Sequence, residues 1–252
     1  MNATVIDLDD VALARLRKLA DEPQLIRVHP QWLGWLAKAV LTPAAPKAEH
    51  GPTFHARIHA DGTDMRGVGG DGHRFHTVHV ELLDPVIGVD FTMPRAALEW
   101  IAKNYRIFKV DKDSLMDPVA DIRLEFPDDG PTADDPGRVI IAIRQWDEDA
   151  APAIQYEGPL VPDAYPDIEH LLETARDAKP AEPAALNLDY VADTRVLRTA
   201  STAEPVVKYT RSTKAKRPAP ALIEFWEREH LRAAAIIQPI LTVEDAAAGG
   251  ES

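Results

Sequence analysis

Histidine is the residue type in this sequence whose clustering most invites a chemical interpretation. Five histidines fall between residues 55 and 79, namely His55, His59, His73, His76 and His79. Imidazole is a common metal ligand, and His55, His59 and His79 could share one face of a sheet, so a histidine-bound metal enzyme is one hypothesis. The sequence has no HExxH pair, and no motif places a carboxylate beside these residues. Solvated strand histidines are the favoured interpretation.

Glycines and carboxylates also cluster, but not in catalytic patterns. The glycines at 67–70 lie between strand signals, whereas a phosphate-binding loop precedes a helix. The carboxylates at 127–135 lie in an acidic, proline-containing stretch that is typical of a solvated loop. The sequence contains no GxSxG motif and no cysteine, which excludes thiolate and disulfide chemistry. We therefore expect a non-enzymatic protein with no catalytic residue, no metal and no cofactor.

Charge is distributed unevenly along the chain. The 252 residues carry a formal net charge of -13, which repels nucleic acid at long range. Basic residues nevertheless recur on the predicted helices, at Lys38, Arg95, Lys103, Arg195 and Arg198. They are either ordinary solvated helix faces or parts of a basic surface on an otherwise acidic protein.

The elements that would carry these residues repeat along the chain. A short strand, a proline and an amphipathic helix occur around Pro30 and again around Pro94. Proline suits a first helical turn because its missing N–H would be unpaired there. A third, weaker helix is predicted over 185–200, with Asp189 as its cap.

Three strands are predicted after each helix. They cover 53–59, 63–69 and 73–82, then 120–126, 138–145 and 151–160, then 205–211, 221–227 and 233–243. Asp61-Gly62 and Asp71-Gly72 predict hairpin turns between the first three strands. A β-α-β-β-β unit written three times predicts the α+β fold class.

Three segments fall outside these units. Residues 1–24 predict a strand-helix extension, residues 174–184 a linker, and residues 245–252 a disordered tail. No stretch approaches the roughly 20 apolar residues of a membrane span, and the acidic start does not resemble a signal peptide. We expect a cytoplasmic protein that contacts no membrane.

Three short motifs fall in an order known from one protein family. They are Gly70-Asp71-Gly72-His73-Arg74-Phe75, then Tyr165-Pro166-Asp167-Ile168 followed by His170-Leu171-Leu172, then Ile236-Ile237-Gln238-Pro239-Ile240. Together they resemble the bacterial DNA sliding clamp, the β subunit of the replicative DNA polymerase. Residues 25–173 resemble the middle domain of that family, and residues 185–244 resemble the C-terminal half of its last domain.

In that family the three motifs converge on an apolar cleft that binds partner peptides with a glutamine and large apolar anchors. The resemblance implies a peptide-binding cleft lined by Gly72, His73, Arg74, Phe75, Pro166, His170, Leu171, Ile236, Ile237, Gln238, Pro239 and Ile240. Apolar walls supply burial, and a few polar groups set the direction of the peptide. Gly70, Phe75 and Gln238 replace a threonine, a leucine and a methionine of the family, which changes the volume and polarity of the cleft.

The resemblance also implies a fold and an activity. A DNA-clamp fold has antiparallel sheets outside and helices on the inner face, so the five helix cations named above are expected to face duplex DNA. Three units per chain cannot enclose a duplex, so a ring requires a homo-oligomer. The implied function is a processivity factor that tethers a DNA polymerase and other proteins with clamp-binding motifs. Because the chain is shorter than cellular clamps and diverged from them, we expect a bacteriophage or mobile-element version.

A second hypothesis from the same resemblance does not involve enclosing DNA. The family's first domain has no counterpart in the sequence, which suggests a clamp-derived module that captures clamp-binding peptides as a decoy or regulator. The two hypotheses differ in topology. A ring stays on closed circular DNA at high salt and slides off linear DNA, whereas a peptide-binding module does neither.

Overall fold

Helices and antiparallel strands alternate in a computed structural model that describes residues 8–108, 117–145, 152–162, 165–179, 185–202, 204–210 and 220–239. The helices are α1 (Leu8–Asp21), α2 (Pro30–Leu41), α3 (Arg95–Asn104), α4 (Ile168–Asp177) and α5 (Leu188–Asp193). The strands are β1 (Leu25–Val28), β2 (Ala56–Gly70), β3 (Arg74–Met93), β4 (Pro118–Glu125), β5 (Arg138–Gln145), β6 (Ile154–Pro159), β7 (Val206–Lys208), β8 (Ala221–Glu227) and β9 (His230–Ile237). Short 3-10 helices cover Ala48–Phe54 and Thr194–Leu197. The predicted α+β class is confirmed.

Some predictions concern residues outside those ranges. The predicted strand before α1, the tail at 245–252 and the last cleft residue, Ile240, lie outside the described residues. The helix predicted for the extension is confirmed as α1. Within the described ranges, no helix combines the length and the apolar character needed to cross a bilayer.

The two proline-led helices begin differently. Pro30 occupies the first turn of α2, as predicted, and His29 caps the helix by accepting a hydrogen bond from the Gln31 N–H at 3.3 Å. Pro94 instead precedes α3 in an extended conformation, and the helix begins at Arg95. This one-residue offset matches the different distances between the prolines and the repeated tryptophans of the two helices.

The first predicted hairpin is wrong and the second is confirmed. β2 runs without a turn through Asp61-Gly62, where the register against β3 shifts and Gly62 takes a φ of 58°. The turn between β2 and β3 falls at Asp71-Gly72. There the Asp71 carboxylate accepts hydrogen bonds from the N–H groups of His73 at 2.9 Å and Arg74 at 3.0 Å. The strands predicted at 53–59 and 63–69 are therefore one long strand.

The second and third units follow the predicted pattern more closely. β4, β5 and β6 pair in sequence, as do β7, β8 and β9. The third helix is short, because α5 covers Leu188–Asp193 and passes into a 3-10 turn. Its cap is Asn187, whose side chain accepts from the Asp189 N–H at 2.9 Å, so the prediction of Asp189 as the cap is wrong by two residues.

The strands join into one sheet with helices on both faces. Its order is β6-β5-β4-β1-β3-β9-β8-β7, and β2 pairs with β3 outside this path. Successive residues of a strand alternate between faces, so one strand serves both layers. We call the face that carries α2, α3 and α5 the inner face, and the face that carries α4 the outer face.

The inner face holds the main core. Leu33, Leu36 and Val40 of α2 are fully buried against the sheet, together with Leu98 and Ile101 of α3. Burial of this apolar stripe is the main force that fixes the helices on the sheet.

Close approach of α2 to the sheet depends on glycine. A Cβ atom at Gly69 would collide with the Val40 backbone, and one at Gly67 would lie 2.9 Å from the Leu36 side chain. The glycines that look like a loop motif in the sequence are thus a packing feature of β2.

The outer face carries an element that the sequence did not predict. α4 begins at Ile168, capped by the Asp167 side chain, which accepts from the His170 N–H at 3.3 Å. It continues to Asp177, four residues into the segment 174–184 that was predicted to be a linker.

Candidate functional site

The three sequence motifs meet at one end of β3. Phe75 of the hairpin lies opposite Ile236 in the antiparallel β3–β9 pair. The next contact along this pair is a hydrogen bond of 2.8 Å from the Gln238 N–H to the His73 carbonyl oxygen. Tyr165, from the middle motif, is buried in the same apolar cluster as Phe75 and Ile236. Segments separated by more than 150 residues are thus brought into one site.

The centre of this site is closed. A set of buried side chains, which we call the outer cluster, joins β2, β3, β8 and β9 to the middle motif and α4. Its members are Val68, Phe75, Tyr165, Ile168, Leu172, Ala175, Leu222, Ala234 and Ile236. Phe75 is only 7% exposed and Ile236 only 3%. These two predicted cleft residues are covered rather than open to solvent.

The other described residues of the predicted cleft form two groups. Most lie in an exposed rim around the outer cluster, and two point to the opposite face of the sheet. Those exposed around the outer cluster are Gly72, His73, Pro166, His170, Leu171 and Gln238, with Pro239 half-buried. Leu171 is 41% exposed and is the large apolar member of this rim.

Arg74 and Ile237 belong to the inner face. The Arg74 guanidinium lies 4.1 Å from the Tyr190 ring centroid and forms ion pairs with Asp71 and Asp193. Ile237 lies opposite Arg74 in the strand pair and is fully buried in the main core. The structure therefore does not bring these two side chains to the outer cluster.

Polar contacts hold α4 at both ends. Arg66 of β2 forms an ion pair with Glu169, and this hydrogen-bonded contact lowers the pKa of the Glu169 carboxyl below its usual value. At the other end, Arg176 donates to Glu224 of β8 at 2.9 Å. The Lys208 ammonium also donates to the Arg176 carbonyl oxygen. α4 is thus fastened to the sheet on either side of its apolar contacts.

The inner face carries a second candidate site, a groove between α2, the end of α3 and the segment after α5. Its volume is about 660 Å³. The residues that line it are Gln31, Trp32, Trp35, Lys38, Tyr105, Arg106, Arg195, Val196, Arg198, Thr199 and Ala200. Four of them are basic and none is acidic, so we call it the basic groove.

Aromatic contacts shape the basic groove. The Trp35 Nε1–H donates to the Val196 carbonyl oxygen at 2.8 Å, which ties α2 to the segment after α5. Trp32 stands edge-on to Trp35, with 5.8 Å between ring centroids, and is 41% exposed. Lys38 donates to the Tyr105 hydroxyl at 2.8 Å.

Of the cations predicted to face DNA, the structure gathers Lys38, Arg195 and Arg198 in this groove. Arg198 also pairs with Glu204 at 2.5 Å, but both side chains are more than half exposed, so water and salt weaken the pair. Arg106 is a groove residue that the sequence argument missed. It follows the end of α3, where helical periodicity no longer indicates direction.

Arg95 and Lys103 do not line the basic groove. Arg95 donates to the Ala45 carbonyl oxygen at 3.0 Å and to Glu99 at 2.7 Å, which secures the start of α3. Lys103 is exposed on the same helix. These two cations are placed on the inner layer without joining the other three.

The clustered histidines have separate roles. His55 accepts a hydrogen bond from the Arg95 backbone N–H at 3.1 Å, and His79 lies 2.9 Å from an Asp64 carboxylate oxygen. His59 lies on β2. In the described part of the chain, no group of three or more histidine, aspartate or glutamate side chains is placed to hold a metal ion. The metal-enzyme hypothesis gains no support from these contacts.

A sheet with cation-bearing helices on one face, and with the hairpin, middle and C-terminal motifs meeting on the other, matches the predicted DNA-clamp architecture. Solved structures place the chain more closely. The DNA polymerase sliding clamp of Bacillus subtilis has a TM-score of 0.57 at 14% identity, covering 88% of this chain and 66% of the clamp. The DNA polymerase III β subunit of Thermotoga maritima has a TM-score of 0.58 at 10% identity, covering 87% of this chain and 66% of that subunit.

A third clamp structure agrees with these two. The DNA polymerase III β subunit of Pseudomonas aeruginosa, solved bound to griselimycin, gives a TM-score of 0.57 at 13% identity, covering 86% of this chain and 65% of the clamp. The predicted DNA-clamp fold is confirmed. The matched region spans about two thirds of the clamps' own length.

Sequence comparison gives no further assignment. No protein-family model matches the chain, and no curated protein matches it. The assignment of the fold therefore rests on structural similarity.

Proposed function

We propose that the protein is a non-enzymatic DNA sliding clamp. In this proposal a homo-oligomeric ring encloses duplex DNA with the basic groove facing the phosphates. The exposed rim around the outer cluster receives peptides of a DNA polymerase and other replication proteins. The observation that carries the proposal is the basic groove on the helical face of a clamp fold.

The charge distribution supports this assignment. The chain carries a net charge of -13, yet the groove collects Lys38, Arg106, Arg195 and Arg198 without an acidic lining residue. Lysine and arginine that neutralise phosphates provide sequence-independent and salt-dependent binding. A few weak contacts of this kind suit a protein that must move along DNA while topology prevents its escape.

The sheet offers edges through which copies could join. Within the described residues, β6 pairs only with β5 and β7 only with β8, so each end of the sheet has an open edge. Val206 and Val207 on the β7 edge are 57% and 46% exposed. Open edges invite pairing with another chain, and a head-to-tail contact of this type closes into a ring when the rotation is right.

The decisive experiment is topological. The protein is incubated with nicked circular DNA and with the same DNA linearised, then washed at high salt. A ring is retained on the circle and lost from the linear form. The charge-neutralised variant Arg106→Ala/Arg195→Ala should load less but show the same dependence on DNA ends. Equal loss from both forms, or a mass that stays monomeric at high concentration, would contradict the proposal.

A peptide-capturing module that does not enclose DNA is the second candidate. One observation favours it: the hairpin, α4 and β9 complete the outer site within a single chain, whereas enclosing DNA requires several copies. A labelled clamp-binding peptide from a bacterial replicative polymerase would bind in this case, while the circular-DNA assay would give no retention. Retention on the circle would exclude this candidate.

A further inference from the structure

The apolar face beneath α4 is built like a groove for a helical peptide. Phe75 lies opposite Ile236, and Ile236 lies opposite Leu222, so the three side chains form a row across β3, β9 and β8. Val68 and Ala234, which both lie opposite Thr77, belong to a neighbouring row on the same face. A row of apolar side chains across a sheet face matches one stripe of an amphipathic helix.

α4 fills this groove in the manner of a bound peptide. Ile168, Leu172 and Ala175 are 2%, 6% and 5% exposed. They are spaced i, i+4 and i+7, which is the anchor spacing of helices that bind in apolar grooves. Leu171, between two of these anchors, points away and is exposed. The helix thus uses a single stripe of its surface to occupy the face that the three motifs assemble.

The attachment of α4 is weaker than that of α2. α4 buries three of its 10 residues, whereas α2 buries seven of its 12. Each flanking ion pair joins a partly exposed α4 side chain, Glu169 at 46% or Arg176 at 38%, to a more buried residue of the sheet, so solvent screens the pairs in part. Among the described residues, α4 contributes no side chain to the main core and takes part in no strand pairing. Those contacts do not need α4 in place.

We propose that α4 is an internal ligand of the partner-binding face, and that an incoming peptide with apolar anchors competes with α4 for the outer cluster. This inference rests on the proposed peptide-binding function and adds its regulation. The resting protein is closed, with Phe75 and Ile236 covered. Partner binding then requires the α4 anchors to be displaced. The free energy that holds α4 on the outer cluster therefore sets the apparent affinity for the partner peptide.

Charge reversal in the ion pair between Arg66 and Glu169 tests the inference, with a matched control on the same helix. Glu169→Arg replaces attraction to Arg66 by repulsion and should loosen α4. Glu173→Arg changes the net charge equally at an exposed position. Arg66→Glu/Glu169→Arg restores an ion pair in the opposite orientation. The readout is fluorescence polarisation with a labelled clamp-binding peptide from a bacterial replicative polymerase.

The expected order is specific. Glu169→Arg should bind the peptide about threefold to tenfold more tightly than the wild type. Loss of one ion pair of this kind shifts the equilibrium between attached and detached α4 by about that factor. Glu173→Arg should bind like the wild type, and the swapped pair should return towards it. Hydrogen exchange provides the second readout, because the α4 amides should exchange faster in Glu169→Arg and in wild type saturated with peptide.

Two different failures can be told apart. Equal peptide affinity in all variants, with α4 amides that stay protected when peptide binds, would overturn the internal-ligand inference and leave peptide binding standing. Absence of binding in every folded variant, including one whose α4 exchanges fast, would overturn the peptide-binding function together with its regulation. The circular-DNA experiment reports separately on the clamp activity.

Discussion

The two faces of the sheet are built from the same strands but carry different candidate sites. On the inner face, α2 and α3 bury large side chains such as Leu36 and Ile101 completely, and the groove beside them stays open. On the outer face, a 10-residue helix covers a small apolar cluster and closes it. The open site thus lies beside the larger buried core, whereas the covered site lies beneath α4.

This difference follows from strand alternation at the hairpin. Arg74 turns to the inner face and binds Asp193 and the Tyr190 ring, whereas Phe75 turns to the outer face and is buried in the outer cluster. A single motif therefore supplies an ion-paired side chain to the inner face and a buried apolar side chain to the outer cluster. Variants that separate the two faces test whether the layers are as independent as this geometry indicates.

A matched pair of leucine variants gives the largest expected contrast. Leu36→Ala should lower the free energy of unfolding by about 3 to 5 kcal/mol, because it leaves a cavity in a core that cannot collapse. Leu172→Ala should cost less, about 1 to 2 kcal/mol, since the loss is limited by the free energy of detaching α4. Urea unfolding followed by circular dichroism measures both. Equal costs would mean that α4 is as integral as α2.

The second prediction concerns pH and the inner face. His76 is fully buried, with Nδ1 3.0 Å from the Ala39 carbonyl oxygen, and burial lowers its pKa from 6.5 to about 4. Between these values the unfolded chain binds a proton that the folded chain does not. Stability should therefore fall as the pH drops from 6.5 towards 4, by up to about 3 kcal/mol from this group.

Stability curves of wild type and His76→Gln measure this contribution. The carboxylates titrate in both proteins, so only the difference between the curves belongs to His76. That difference should shrink as the pH falls from 6.5 to 4. Parallel curves would show that the inner face tolerates the protonated imidazole.

The sequence predicted the repeated elements well but not every connection between them. Hydrophobic alternation located β4, β5 and β8, and the proline at position 30 located the start of α2. The hairpin turn predicted at Asp61-Gly62 was wrong because an Asp-Gly pair suits both a hairpin turn and a bulge. Each of these accepts a glycine with positive φ. Only the pairing of β2 with the far half of β3 distinguishes the two, and that contact is not local.

The candidate sites were predicted unevenly for a related reason. The motif order located the outer site, but the sequence did not indicate that α4 covers it. Ile168, Leu172 and Ala175 have helical spacing after the Asp167 cap, a signal that was obscured by the alanine- and proline-rich segment that follows. Arg106 was not predicted as a groove residue, because its position depends on how α3 ends against α2.

The third prediction addresses the open site on the inner face. Arg195→Ala removes a cation from the basic groove, whereas Arg123→Ala removes an exposed cation on β4 outside it. Only the first should weaken duplex DNA binding, uniformly across sequences, and reduce the slope of log affinity against log salt by about 1. Fluorescence anisotropy with a short duplex at several salt concentrations provides the measurement. Equal effects of both variants would indicate a response to net charge alone and remove the case for the groove.

The smallest expected effect on stability belongs to the rim of the outer site. Leu171 is 41% exposed on the helix whose neighbouring residue, Leu172, is buried. Leu171→Ala should change the free energy of unfolding by less than about 0.5 kcal/mol, because little apolar surface is lost from the core. Because a bound peptide displaces α4, Leu171→Ala and Leu171→Met should both bind the labelled clamp peptide like the wild type. Weaker binding in Leu171→Ala alone would show that the peptide contacts the rim with α4 still in place. A large loss of stability in Leu171→Ala would place this side chain in the core, and the two faces would then differ less than their helices indicate.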